Sequence, residues 1–443
     1  VEKIMNLFAA LPIMNEPNVE NTIQQILTQT QPPKALYVCV NQPETYKTDP
    51  EKRHIFEQNQ KTIEAIRKSV LHTFPVRHSR EGGNPIARGL WDKPAMTTTI
   101  HIIDKSTTGW DSKNHGVGWA RKTLMDTINE IANPEDIIIS LDADTEYPPE
   151  YFESVKNIFD KSKAKGQGQK VATNTANVSQ ANSLSPFALH PLPTEIVALS
   201  NPYYHKLTDC ETQNRAILRY EIYMRCYLKN LVRIGSPYAF TALGSAMAVR
   251  VEAYRKMGGM APKKSGEDFY FLQQLSKIGT VITENTVTVY PATRLSDRVF
   301  FGTGPAMIKG VSGDWSSYPI YPPKLWDEVA KIYQNFETYF SPEDYQKLKA
   351  NSKTEAQLQK FCHEKFDALR ILQYLKSKHA SNPQPDEVGL MENLEVFDSG
   401  RRFDFAQRPC EPCPERSRRA HGTYFSFETA EIEVLDEIRN AFC

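Results

Sequence analysis

The sequence predicts an α/β protein built on a doubly wound, mostly parallel sheet flanked by helices, with a helical C-terminal appendage. Three observations carry that expectation. Short β-branched runs alternate with helix-length segments through the first third of the chain. One apolar run, Ile137 to Leu141, closes on two aspartates one residue apart, Asp142 and Asp144. Beyond Gly310 the alternation stops and amphipathic helices follow. Open α/β sheets bind ligands at the carboxyl ends of their strands, so the residues that end each run are where function is expected.

Taken in order, Ile4 to Leu11 reads as a strand, Val19 to Gln29 as a helix, Ala35 to Val40 as a strand and Glu51 to Leu71 as a polar helix. Thr99 to Ile103 is the next strand, Gly118 to Ile131 the next helix and Ile137 to Leu141 the strand after it. Pro148 and Pro149 open a helix through Tyr151 to Phe159, because proline is tolerated in a first turn. Residues 161–231 turn polar and then helical, where Ile217, Tyr220, Tyr223, Met224, Tyr227, Leu228 and Leu231 make a broad apolar stripe suited to packing or to the wall of a cleft. Small residues from Ala239 to Val249 precede a helix from Val251 to Met257, which Gly258 and Gly259 end. Glu267 to Lys277 reads as a helix and Val281 to Val289 as a strand. The tail keeps a helical apolar pattern, as at Leu358, Phe361, Cys362, Leu369, Leu372 and Leu375. The expected division is therefore a chemistry-bearing domain over 1–310 and a helical region over 311–443.

Residues 74–96, with RHSREGGNP, and 401–422, with FDFAQRP and ERSRRAHG, differ in character from their surroundings. They resemble peptides translated from repetitive bacterial genomic elements, or else Pro/Gly/Arg-rich loops, and on either reading they are expected at the surface.

Lys plus Arg equals Asp plus Glu at 53 each, so the overall charge favours neither nucleic acid nor an anionic membrane. No apolar stretch approaches the roughly 18 residues of a membrane span, and no basic-then-apolar leader opens the chain. The expected address is the cytoplasm, with peripheral attachment at the inner face of the membrane still compatible. Seven scattered cysteines suit reduced thiols, and Cys410 with Cys413 is the one CxxC, without the second pair a zinc site needs.

Oxygen-rich pairs such as Asp142 and Asp144 suit Mg²⁺ or Mn²⁺, although solvated acids in a turn would look the same. Ala143 between them is expected to point away. Pro12, Asn15 and Glu16 follow the first strand and Asn41 with Gln42 ends the second, offering polar groups to a nucleotide or simply shaping turns. Gly118, Arg121 and Lys122 open the helix before the acidic strand, where bare backbone and cations can meet phosphate or the carboxylates. This is not a Walker loop. Glu267 and Asp268 follow Gly266 and could be a separate carboxylate pair for proton transfer or could only complement a helix amino terminus. Arg294 and Arg298 precede Phe301-Gly302-Thr303-Gly304, and His190 or His205 could add a third metal ligand or merely pack.

In that order, LPIMNEP, GVGWARKTLMD, the DAD of SLDADTEYPPEYF, GSAMAVRVEAYRKMGGM and SGEDFYFLQQLSKIG resemble the family 2 inverting glycosyltransferases, whose fold is called GT-A. The resemblance covers roughly residues 1–305 and departs from the family after the second strand, where Asn41 and Gln42 stand in place of a frequent acidic pair. It implies a nucleotide-diphosphate sugar as donor, UDP-linked as the first expectation, and a saccharide or lipid-linked hydroxyl as acceptor. Asp144 would bind a divalent ion on the two phosphates, with Asp142 on the ribose or the same ion. Asp268 would be the general base and Glu267 its neighbour, while Arg298 would clamp the diphosphate. Envelope or polysaccharide synthesis is the implied setting.

Two other readings stay open. Asp142-Ala143-Asp144-Thr145 also matches the nucleophile motif of aspartyl-phosphate phosphatases, with Asp142 attacking, although three strand-like runs precede a strand that normally opens that domain. A catalytically silent module binding a nucleotide or sugar is the third.

Overall fold

The computed structural model describes residues 4–72, 98–111, 113–165, 195–283, 285–297, 302–335, 341–352, 355–365, 367–378, 386–397, 426–428 and 430–442. Both repeat-like segments, Cys410, Cys413, His190, Arg298 and Phe301 lie outside them.

In chain order the elements are β1 (Leu7–Ile13), α1 (Val19–Leu27), β2 (Ala35–Pro43), α2 (Arg53–His72), β3 (Thr99–Trp110), α3 (Val117–Ile131), β4 (Ile137–Ser140) and β5 (Thr145–Glu146). Then come α4 (Tyr151–Lys165), β6 (Ile196–Ser200), α5 (Glu211–Arg233), β7 (Met247–Arg250), α6 (Val251–Lys256), α7 (Glu267–Ser276), β8 (Thr280–Ile282) and β9 (Tyr290–Pro291). The remainder is helical: α8 (Thr303–Val311), α9 (Pro323–Gln334), α10 (Pro342–Ala350), α11 (Glu355–Lys365), α12 (Ala368–Lys378), α13 (Asp386–Phe397) and α14 (Ile432–Ala441).

Seven strands form one sheet in the order β3-β2-β1-β4-β7-β6-β8, and β5 pairs with β9 in a separate ribbon. Most neighbours are parallel, as expected. The exception is β7, which runs antiparallel to both β4 and β6. The first strand begins three residues later than its sequence pattern suggested, leaving Ile4 80% exposed, and it runs on through Pro12. Proline is tolerated there because β4 pairs with β1 only over Leu7–Ala10, so no ladder donor is needed from Pro12 on that side. Of the expected strand Val281–Val289 only Val281 and Ile282 lie in a strand, β8, and β9 begins one residue beyond its end; β6 is a strand within a stretch whose sequence reads as polar and then helical.

The chain divides into two compact units. The first comprises residues 1–171, 193–206 and 242–292; the second comprises 172–192, 207–241 and 293–443. The helical unit thus takes in α5 from the middle of the sequence. In the sheet unit, Leu7, Ala9, Leu11 and Ile13 alternate into one core with Ile137, Ile139, Ile23 and Ile26 of α1, Ile63 and Ile66 of α2, and Phe152, Val155 and Phe159 of α4. α3 packs on β1 and β2 without entering that cluster, so it covers the opposite face.

In the helical unit the tyrosine stripe of α5 is buried packing. Tyr223 lies edge-on to Tyr318 at 5.5 Å and Tyr227 edge-on to Trp326 at 5.1 Å between ring centroids. Arg219 sits over the rings of Trp315 and Phe427 at 5.1 and 4.4 Å. Among the described residues no helix is long and apolar enough to cross a membrane.

Candidate active site

The acidic pair leaves the sheet at its carboxyl edge. β4 ends at Ser140, so Asp142 and Asp144 stand in a turn beyond the strand rather than on its pleat. Three hydrogen bonds fix this turn. Asp142 N donates to Tyr147 Oη at 2.8 Å, Thr22 Oγ1 to the Ala143 carbonyl at 2.7 Å, and Ala292 N to the Asp144 carbonyl at 3.1 Å. Ala143 is 8% exposed and joins the core, whereas both aspartates keep part of their surface open.

The second acidic pair opens α7. Gly266 caps it with φ 71°, a left-handed conformation that glycine adopts without a Cβ penalty. Glu267 is 4% exposed and turns inward, while Asp268 is half-buried and accepts from Phe269 N at 2.8 Å.

Arg121 joins the two acidic segments. Its side chain is 2% exposed, with Nη2 2.7 Å from Asp142 Oδ1 and Nε 3.2 Å from Glu267 Oε1. Nη1 donates to Ser140 Oγ at 2.7 Å and to the carbonyls of Gly244 and Leu141 at 2.9 and 3.2 Å. A Cβ on residue 244 would lie 2.0 Å from Nη2, so glycine is required by that close approach. Burial alone would lower the guanidinium pKa, but Asp142, then Glu267 and Asp268, reverse the sign and hold the charge firmly.

Those contacts set the protonation of Asp268. Burial and then the like charge of Glu267 push its carboxyl up to about 7; Arg121 and the Phe269 N–H pull the other way and Asp142 adds to the rise. A carboxylate poised near neutrality, beside two others and open on one side, has the properties of a general base.

Asp142 and Asp144 offer hard oxygen donors. Among the described residues no group of three or more His, Cys, Asp or Glu is arranged to hold a metal ion. His205, a possible third ligand by sequence, is 1% exposed with its ring edge-on to Tyr203 at 5.7 Å. The donor set therefore does not make an all-protein cage. It fits the way Mg²⁺ or Mn²⁺ is held by one or two carboxylates plus the phosphates of a substrate.

The other expected contacts are placed differently. Asn15 has φ 57° and its N–H donates to Asn59 Oδ1 at 2.9 Å. Asn59, for which the sequence offered no signal, also donates to the Asn41 carbonyl at 3.2 Å and to Gln42 Oε1 at 2.7 Å. Asn41 is 3% exposed and its amide donates to the Ile13 carbonyl at 2.9 Å, so the side chain clamps two strand ends. Pro12 is buried and Glu16 is 7% exposed. A Cβ on Gly118 would lie 2.2 Å from the Lys263 carbonyl oxygen, so its bareness serves backbone packing. Of the two partners expected for these cations, phosphate or the carboxylates, Arg121 meets the carboxylates of Asp142 and Glu267, and Lys122 pairs with Asp126 at 2.7 Å. Arg294 belongs to the helical unit.

No protein-family model matches the chain, and no curated protein matches it. Among solved structures it is similar to residues 1–349 of S. aureus TarS in complex with UDP-GlcNAc, with 13% identity, a TM-score of 0.38, and coverage of 90% of this chain and 93% of that one. It is also similar to the mannosyltransferase PcManGT from Pyrobaculum calidifontis in complex with GDP-Man and Mn²⁺, with 12% identity, a TM-score of 0.35, and coverage of 90% and 82%. At that level of similarity the likeness decides no activity.

Proposed function

We propose that the chain is a metal-dependent inverting glycosyltransferase that moves a sugar from a nucleotide-diphosphate donor, UDP-linked in the first instance, to a hydroxyl of a saccharide or lipid-linked acceptor. The observation that carries this reading is the single buried guanidinium of Arg121 bonded to Asp142 on one side and Glu267 on the other, with Asp268 beside it. Carboxylates suited to a cation and a carboxylate poised to accept a proton thereby belong to one constellation. All of these residues fall within the sheet unit.

In this reading Asp268 takes the proton of the acceptor hydroxyl as that oxygen bonds to the anomeric carbon. The bond from that carbon to the nucleoside diphosphate breaks on the opposite face, which inverts the centre, and the diphosphate leaves with the electron pair. Asp142 and Asp144 would hold the divalent ion, which when bound neutralises the charge gathering on the departing diphosphate. Arg121 fixes Asp142 and Glu267 in place, and Glu267 keeps Asp268 basic by like-charge repulsion.

The phosphatase alternative needs Asp142 as a nucleophile; Arg121 bonds its Oδ1 at 2.7 Å under either reading, so the product formed decides between them. The deciding experiment offers purified protein a set of UDP- and GDP-sugars with Mn²⁺ and follows nucleotide release and the product anomer. The reading requires turnover that EDTA removes and an inverted product. Intact turnover in Asp142→Ala, Asp144→Ala and Asp268→Asn together would end it.

A further inference from the structure

We propose that a groove beside the acidic turn binds a neutral saccharide outside the reaction centre. The groove holds about 270 Å³ and is lined by Gln25 and Thr28 at the end of α1, Glu146 and Pro148 after the acidic turn, Lys206, and Tyr290 of β9. That is just below the roughly 300–1,000 Å³ of common small-molecule sites and has room for a sugar residue or two.

Its walls are well anchored. The β5–β9 ribbon sets Glu146 opposite Tyr290. Lys206 forms an ion pair with Glu146, and its ammonium lies 5.1 Å from the centre of the Tyr290 ring. Tyr147 closes the inner side: its hydroxyl accepts from Asp142 N at 2.8 Å and its N–H donates to Gln25 Oε1 at 3.0 Å. Thr30 N donates to the Pro149 carbonyl at 2.8 Å, tying the end of α1 to the same segment. The groove therefore lies between the end of α1 and the segment that follows the acidic turn.

The lining chemistry selects the ligand class. One carboxylate and one ammonium cancel, which leaves no excess charge to attract a phosphate or a metal. What remains is the Glu146–Lys206 pair, the Gln25 amide nitrogen, whose companion oxygen is held by Tyr147 N, and the Thr28 hydroxyl oxygen, whose proton goes to the Gln24 carbonyl at 2.8 Å, around an aromatic ring. A pyranose matches that set, because its equatorial hydroxyls both give and accept hydrogen bonds while its C–H face packs on an aromatic ring. Glu146 and Lys206 keep 54% and 55% of their side chains exposed, so their polar ends remain within reach of a ligand from solvent.

The use of such a groove, to hold part of a saccharide beyond the reacting sugar, rests on the glycosyltransferase reading; the binding itself does not. The full chain would be titrated calorimetrically with maltotriose and with triacetylchitotriose, using trigalacturonate as a charged control. The expected result is saturable binding of at least one neutral probe, weakened tenfold or more by Tyr290→Ala and by Lys206→Ala and retained by Tyr290→Phe, with unchanged melting temperatures. Absence of saturation by both neutral probes overturns the proposal, as does wild-type affinity in both alanine variants or tighter binding of the charged control. Because no turnover is measured, failure here leaves the assigned chemistry standing.

Discussion

Both units bury arginines against carboxylates, and the two settings differ in what the carboxylate can still reach. In the helical unit Glu221 is 1% exposed and accepts from Arg225 at 3.0 Å and from Arg439, itself 1% exposed, at 3.3 Å. In the sheet unit Arg121 is as deep, yet Asp142 at its tip keeps 29% of its side chain exposed. An ion pair closed on all sides holds α14 to α5, and its carboxylate is shared between Arg225 and Arg439. An ion pair closed on one side only holds an acid in position while leaving part of its side chain exposed. Exposure alone does not make such an acid usable, since Asp386 on buried Arg219 keeps 23% of its side chain exposed in the helical unit. What sets Asp142 apart is that the same guanidinium also holds Glu267 of a second acidic segment, and that difference can be broken by experiment.

The largest expected effect is on transfer by Asp268→Asn, which keeps the shape and removes the base. A general base contributes about 10²–10⁴-fold, so kcat should fall by that factor while donor binding, followed by calorimetry, is retained. Next come matched variants in the two units. Arg121→Met should lose about 3–5 kcal/mol in urea unfolding, because it leaves buried Glu267 without its partner, and Arg439→Met should lose less, because Arg225 still pairs with Glu221. Only Arg121→Met should also lose transfer per folded molecule; equal activity in the two variants would dissolve the contrast. A smaller effect is on pH. With the carboxyl of Asp268 raised to about 7, the base form is scarce below that value, so transfer should climb as pH rises through it and then level off. The stability sign is opposite. The folded chain holds this proton more tightly than an unfolded aspartate with its pKa near ~3.9, so the resulting stabilisation is complete below that lower value and disappears as pH rises through about 7. Asp268→Asn should flatten both profiles.

Much of the fold was legible because the buried strands are unmixed apolar runs: Ile137, Ile138 and Ile139 are all fully buried, and few structures other than a central strand use such a run. Neither β7, which lies at the end of what reads only as a run of small residues, nor its antiparallel course was legible, since a strand's direction leaves no mark in its composition. β6 was missed because Ile196–Ser200 offers only a few apolar residues beside a long polar stretch. The expected strand Val281–Val289 breaks because polar Asn285 turns inward, donating to Asn201 Oδ1 at 2.6 Å and to Ser154 Oγ at 3.0 Å. In the site, the acidic residues could be found from their order along the chain. The acceptors of Arg121 could not, because Gly244 and Glu267 lie 123 and 146 positions away and nothing local to a helix arginine announces which distant oxygens will surround it.

Gly244 gives the smallest and sharpest version of the contrast. Gly244→Ala adds one methyl group whose ideal position is 2.0 Å from Arg121 Nη2, within a contact no pair of heavy atoms can keep. Either the guanidinium or the backbone must move, and overpacking of this kind costs about 1–3 kcal/mol. Because Nη2 is the nitrogen that holds Asp142, the displacement should reach the acidic turn before it reaches the core. The expected outcome is a modest fall in the urea midpoint with a larger proportional loss of transfer. A variant that loses stability but keeps full transfer would show that the carboxylates hold their places without Arg121, and the half-closed ion pair would then be as purely structural as the closed one around Glu221.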